Sequence, residues 1–246
     1  MDVLAIKALA NKPSKILFAY QPIFDARTEK LYGYEALMRP EPYSPLQFIE
    51  EMAKLDRLQH VEEITNYYGI KYFKEAKLEG KLFLNSLPAT CMSLEMSKAT
   101  EQMGGDYMIG RLVYEILEYT TPDRFAYGVK RTAFENNGAN PLIAIDDFGT
   151  GGNIDNECVD YYKPDIVKVD RSIISHIDTE LSNQETLQQI IFDMRERNVL
   201  VLAEGVETEA EYRYLKKQEI DYMQGFYLGK PKLYTEYIKE AQEKTT

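Results

Sequence analysis

The chain has 246 residues, of which 44% are apolar and 28% charged, enough for a domain that buries its own core without disulfides or structural zinc. Its net charge of −11 argues against duplex nucleic acid as a partner, because phosphate backbones require Lys and Arg footprints; a small phosphate ester stays open if metal ions reverse the local sign. Cys91 and Cys158 are not ligand-spaced and read as reduced thiols in a cytoplasmic protein, and the sequence shows neither a secretory signal nor an apolar run of membrane-spanning length.

Residues 1–13 read as an N-terminal flanking helix, and residues 14–246 as one domain whose tail after Pro231 is helical. Two β-rich runs open the domain, Ile16–Phe24 and Leu31–Met38, and Leu46 to Ala76 predicts one long helix or two. Further strands are expected at Lys81–Leu87, Arg111–Leu117, Leu142–Ile145, Asp165–Val169, Val199–Ala203 and Asp221–Tyr227. Helical patterns occupy Asp123 to Asn136, Gln184 to Arg197 and Glu209 to Lys217, while Gly104 to Asp106 reads as a loop. Strands alternating with helices suggest a largely parallel sheet, and eight strands in one domain suggest closure into a barrel. Only Asp25 to Lys30 separates the first two strands. A parallel crossover needs a dozen or more residues, so these two must form an antiparallel hairpin. The expected fold is α/β, a modified TIM-type (β/α)8 barrel with an antiparallel first strand.

Polar residues interrupt the strands near their C-terminal ends: Glu35 and Arg39, Asn85, Glu115 and Glu118, Asp146 and Asp147, Lys168 and Asp170, Glu204 and then Glu207, and Gln224. In such a barrel these ends converge on one face, where the chemistry sits. Alternation places Glu35, Leu37 and Arg39 on one side of their strand, and Lys168 and Asp170 on one side of theirs. Glu115 and Glu118, three apart, should point to opposite sides. Glu35, Glu115, Asp146, Asp147 and Glu204 would crowd five negative charges into one mouth, against Lys168 and Arg39. Two divalent cations would supply the missing compensation. An all-oxygen donor set with one amide favours Mg²⁺ or Mn²⁺ over zinc, and adjacent Asp146 and Asp147 could serve two metals.

At these residues the chain resembles the EAL-domain family of cyclic di-GMP phosphodiesterases, over nearly its whole length. Glu35-Ala36-Leu37 stands within a Glu-x-Leu-x-Arg pattern ending at Arg39. Gln21 to Ile23, the Asn85 segment, the Glu115 strand, DDFGTG, KVD, AEGVET and QGF with Lys230-Pro231 follow in family order. The tripeptide alone is weak evidence; the ordered set is specific. The resemblance implies metal-dependent hydrolysis of cyclic di-GMP to linear pGpG with two Mg²⁺ or Mn²⁺, Ca²⁺ filling the sites but supporting little chemistry. It implies that Glu35, Asn85, Glu115 and Asp146 hold the first metal, and that Asp146 bridges to a second with Asp147 and Glu204. Lys168 would orient or polarise the attacking water, with Gln224 nearby; Arg39 would grip a substrate phosphate, and Gln21 and Leu37 would contact substrate. Glu118 would anchor the loop after strand five, and Asp170 and Glu207 would support the site from behind. A homodimer formed near that loop is also implied.

One segment departs from the family pattern. After DDFGTG the chain reads Gly151-Gly152-Asn153-Ile154-Asp155-Asn156, where active members usually carry a Tyr-Ser-Ser-Leu-like sequence. That departure keeps a second reading open, a weak or inactive cyclic di-GMP receptor. A third is a barrel phosphodiesterase acting on another phosphoester.

Overall fold

The structure is a computed structural model that describes residues 3–88, 90–116, 127–128, 130–132, 140–149 and 156–243. Its frame is a closed sheet. The hairpin expected at the start is present: β1 (Leu17–Asp25) runs antiparallel to β2 (Leu31–Arg39), with Gln21 opposite Glu35. Asp25 makes the turn, its carboxylate accepting from the backbone N–H of Arg27 and Thr28. From β2 the sheet continues in parallel through β3 (Lys81–Ser86), β4 (Leu112–Ile116), β5 (Leu142–Phe148), β6 (Ile166–Val169), β7 (Leu200–Ala203) and β8 (Tyr222–Met223). Strand β8 then pairs antiparallel with β1 at Phe24 and Asp25, closing the barrel. The other end of that same β1 edge, Ala19 and Tyr20, is covered by β9 (Lys232–Leu233), so among the described residues no long edge is left open.

Helices form the outer layer. Helix α1 (Val3–Ala10) precedes the barrel and is tied to it by His60, whose Nε2 lies 2.8 Å from the Ala10 carbonyl. The Leu46 to Ala76 region resolves into two helices, α2 (Pro45–Lys54) and α3 (Leu58–Glu75). Ser44 and Gln47 form a capping box that starts α2, and Asp56, with φ 54°, turns the chain between the two. Next come α4 (Leu94–Gly104), α5 (Asn156–Tyr162), the single turn α6 (Arg171–Ile174), α7 (Leu181–Glu196), α8 (Glu209–Leu215) and α9 (Tyr234–Glu243). Helix α4 was not anticipated. Its fully buried positions are only Thr100 and Gly104, and its apolar stripe is short, limited to half-buried Met96, Ala99 and Met103. Gly104, read as loop, is its last residue, and a 3₁₀ turn follows at Gly105–Met108.

The core has two parts. The larger lies between strands and helices, and includes Phe18, Tyr20, Phe48, Phe73, Leu84 and Val167. The smaller fills the barrel itself, where Ile23, Phe83, Val113, Ala144, Ile166 and Leu202 are each fully buried. Tyr32 and Tyr222 stack against this plug with centroids 3.9 Å apart. Tyr32 turns inward because the β1–β2 register shifts between Ile23 and Phe24, leaving it in a bulge.

Candidate metal centre at the mouth of the barrel

Alternation fixes what sits above the plug. Moving two residues along each strand from the plug reaches Asn85 from Phe83, Glu115 from Val113, Asp146 from Ala144, Lys168 from Ile166, Glu204 from Leu202 and Gln224 from Tyr222. On β1, which runs the other way, the step from Ile23 leads back to Gln21, which faces Glu35 across the hairpin. Side chains from every barrel strand thus meet in one layer.

Lys168 stands at the centre of that layer. It is 1% exposed, and its Nζ lies 2.6 Å from Glu115 Oε1, 2.7 Å from Asp146 Oδ1, 2.7 Å from Glu204 Oε1 and 4.0 Å from Glu35 Oε1. Gln224 Nε2 donates to Glu35 Oε2 at 2.7 Å, and Asn85 Nδ2 approaches Glu35 Oε1 at 3.5 Å. Gln21 Nε2 donates to the Gly229 carbonyl at 3.2 Å, which fastens the segment after β8 to the rim. Arg39, half-buried, donates to the Met38 carbonyl, and Leu37 lies between Glu35 and Arg39 on the same strand face.

Asp146 and Asp147 are neighbours, and in a regular strand their side chains would point to opposite faces. The β5–β6 register shifts between Ile145 and Phe148, and Asp147 takes a left-handed φ of 51°. This bulge keeps both carboxylates at the mouth, so ligand atoms of Asp146, Asp147 and Glu204 lie within 4.8 Å of one another. Left-handed backbone is costly for most residues and mildest for Asn and Asp, which suits an aspartate here. Such strain is typical of sites where direction matters more than stability.

The electrostatics follow from crowding under limited solvent. Burial pushes the Glu115 carboxyl well above its ordinary range, with Glu35 and Asp146 adding to the shift and Lys168 opposing it. The same causes, burial first and then Asp146 and Glu35 against Lys168, push Glu204 up to about 8. Desolvation and the neighbouring Asp146 and Asp170 raise Asp147 as well. Burial would lower the Lys168 ammonium, but Asp146, Glu115, Glu204 and Glu35 together outweigh it and hold it well above its usual value. Arg39 is lowered by burial.

The donor set fits divalent cations on evidence internal to this site. Glu115 is fully buried, and beyond the contact of Lys168 with its Oε1 its second oxygen has no partner; the buried Gln224 Oε1 has none either. Orphaned acceptors at such depth are rare in folded proteins. One ammonium and one guanidinium face five carboxylates, all of them oxygen donors suited to hard cations.

The remaining residues lie further out. Asp170 caps α6 through Ser172 N, and Glu207 forms an exposed ion pair with Arg171 at 2.9 Å. Glu118 and residues 151–155 of the divergent segment lie outside the described residues.

Two buried glutamates that brace the segments after β3 and β7, Glu62 and Glu211, escaped the sequence reading. Glu62, 3% exposed on α3, accepts from Ser86 Oγ and Leu87 N, the residues directly after Asn85, and pairs with buried Lys130 at 2.5 Å. Its signal was available: Glu62, Thr65, Asn66 and Gly69 repeat at helical spacing on a face that also carries Val61 and Ile64. Glu211 holds the segment after β7, accepting from the N–H groups of Glu207 and Thr208, and it accepts from His176 N after β6. Its signal was the capping box with Thr208.

Known proteins resemble this chain in sequence and in fold. PdeN of Escherichia coli K12, a probable cyclic di-GMP phosphodiesterase, is 27% identical over 240 residues, which cover 94% of this chain and 46% of PdeN. The chain therefore spans less than half the length of that relative. A standalone EAL protein from Vibrio cholerae O395, solved in a c-di-GMP-bound form, matches at a TM-score of 0.77 and 25% identity over 89% of this chain and 93% of that one. BlrP1 of Klebsiella pneumoniae, solved as a calcium and cyclic di-GMP complex, shares the fold at a TM-score of 0.77 and 24% identity, over 90% of this chain and 57% of that one. No helix among the described residues is long and apolar enough to cross a membrane. The EAL domain model matches residues 6–231, and with the barrel and its acidic mouth in place the chain belongs to the EAL domain family.

Proposed function

We propose that this chain hydrolyses cyclic di-GMP to linear pGpG with the help of two divalent cations of the Mg²⁺ or Mn²⁺ type. The observation that carries the reading is the convergence of Glu35, Asn85, Glu115, Asp146, Asp147 and Glu204 on one mouth, with every expected ligand retained. Glu35, Asn85, Glu115 and Asp146 would hold one ion, and Asp146, Asp147 and Glu204 the other. When bound, the ions would supply Lewis acidity at phosphorus and generate a nucleophile from water at neutral pH. Lys168 contributes a fixed positive charge beside the reacting phosphate and orients the attacking water. Gln224, held by its bond to Glu35, would lie near that water. Arg39 faces the same rim and grips a substrate phosphate, while Gln21 and Leu37 contact the nucleotide. Asp170 and Glu207 stiffen the loops behind the mouth through their cap and ion pair. The relatives named for this activity and the c-di-GMP-bound neighbour support this choice of substrate.

The test is direct. Purified protein with Mn²⁺ or Mg²⁺ should release pGpG from cyclic di-GMP, followed by chromatography, and Ca²⁺ should suppress turnover. Tight binding of cyclic di-GMP without pGpG release under either activating metal would replace the enzyme with a receptor. Preference for another phosphoester in a competition panel would replace the substrate. A homodimer is the oligomer this reading expects, measurable by sedimentation.

A further inference from the structure

The side chains next to two of the proposed metal ligands are held from outside the barrel by one face of α3. Asn85 and Glu115 are partners across β3 and β4, and both point into the mouth. By alternation their neighbours Ser86 and Tyr114 point the other way, toward the helices. Ser86 Oγ donates to Glu62 Oε1 at 2.8 Å, and Tyr114 Oη donates to Asn66 Oδ1 at 2.7 Å. Glu62 and Asn66 lie one turn apart on α3, and both are buried.

The Glu62 carboxylate holds more than one group. Its second oxygen accepts from the Leu87 N–H at 3.0 Å, so it grips the two residues directly after Asn85. Lys130, 3% exposed, completes the clamp: its Nζ donates to Glu62 Oε1 at 2.5 Å, to the Leu87 carbonyl at 2.9 Å and to the Thr90 carbonyl at 2.8 Å. All three ammonium protons are thereby used, and side chains hold both backbone polar groups of Leu87. A buried ion pair is expensive to desolvate, and apolar residues of similar volume commonly serve stability as well or better. What this pair supplies is backbone direction. Asn85 needs such support, because among the described residues its side chain has one hydrogen bond, a long one of 3.5 Å to Glu35. We propose that Glu62, locked by Lys130, is a positioning residue that aims Asn85 at the first of the two cations proposed above, a role that rests on that reading.

Mn²⁺ binding to the full chain, followed by calorimetry, tests the role. Replacing the pair by Glu62→Leu with Lys130→Met should leave the metal-free melting temperature close to that of the wild type, yet weaken Mn²⁺ binding about tenfold. In the metal-free protein, deuterium exchange at the Leu87 amide should become about tenfold faster as its acceptor is lost. A cycle with Asn85→Ala, which leaves the five carboxylates in place, separates aiming from general support. If Glu62 acts through Asn85, the same pair replacement made in Asn85→Ala should weaken Mn²⁺ binding by less than about twofold further. Should circular dichroism show the pair replacement unfolded, Ser86→Ala removes one arm of the clamp and should weaken Mn²⁺ binding about threefold, again without adding to Asn85→Ala. Unchanged Mn²⁺ affinity or unchanged Leu87 exchange in the clamp variants, or a full further loss in Asn85→Ala, would overturn the proposal, while Mn²⁺ binding by the wild type would keep the metal-dependent reading. Absence of Mn²⁺ binding in the wild type would overturn both.

Discussion

Two layers of the same barrel, one residue pair apart, follow opposite rules. The lower layer, Phe83, Val113, Ala144, Ile166 and Leu202 with Ile23, is wholly apolar and fully buried. The upper layer, Asn85, Glu115, Asp146, Lys168 and Glu204 with Gln21, is wholly polar, and two of its members are buried almost as deeply. The lower layer is stabilised by removing apolar area from water, at about 25 cal/mol per Å². The upper layer works against stability, because carboxylates held together out of water repel one another and lose hydration. Lys168 makes the arrangement tolerable by contacting Glu115, Asp146 and Glu204 at once. The plug supplies the stability that lets the layer above it be organised for charge rather than for packing.

The largest expected effect comes from removing the carboxylate shared by both proposed metals. Asp146→Asn should lower turnover by about a thousandfold or more, roughly 4 kcal/mol of barrier. It should also weaken Mn²⁺ uptake measured by calorimetry, while leaving the melting temperature of the metal-free protein nearly unchanged. Normal turnover in this variant would mean the upper layer is not the site. Transplanting charge across the boundary breaks the comparison from the other side. Val113→Asp places a carboxylate in the plug, two residues below Glu115 but out of reach of Lys168, and should destabilise by about 3 kcal/mol or more in urea unfolding. If it unfolds like the wild type, the plug is not the apolar layer described here.

A smaller, graded effect should appear with pH. Glu204, pushed up to about 8, must lose its proton to bind a cation, so dication affinity should rise as pH approaches about 8 and level off above it. The slope is at most about tenfold per pH unit for one proton released, and Glu115, also raised, shifts the curve in the same direction. Metal-free stability runs the other way. A carboxyl whose folded pKa exceeds its unfolded value contributes stability that is complete below the unfolded pKa and lost as pH rises toward about 8. Melting curves with and without Mn²⁺ across this window should therefore diverge, and parallel curves would count against the proposed ligand role of Glu204.

Much of this architecture was legible from residues alone, for identifiable reasons. The hairpin followed from a connection too short for any parallel crossover, and the polar strand ends followed from period-two alternation. Helix α4 was hard to read, because Thr100 and Gly104 take its buried positions and leave only Met96, Ala99 and Met103 as a short apolar stripe. Strand β8 ends at Met223, earlier than its composition suggests, because Gly225 packs directly on the Val206 backbone, where a Cβ would meet the Val206 nitrogen at 2.2 Å. The paired orientation of Asp146 and Asp147 could not be foreseen from spacing either, since strict alternation would have separated them.

What the amino-acid order decided by itself was the set of charges carried by the strands, their two-residue offset from the apolar plug, and the antiparallel direction of the first strand pair, all of which are local properties of the chain. Only the closed tertiary structure decided that Lys168 would stand among three carboxylates drawn from three other strands, and that a bulge would aim Asp147 at its neighbour. Those outcomes depend on contacts between segments dozens of residues apart. No window of sequence contains both partners of such a contact; barrel closure brings them together.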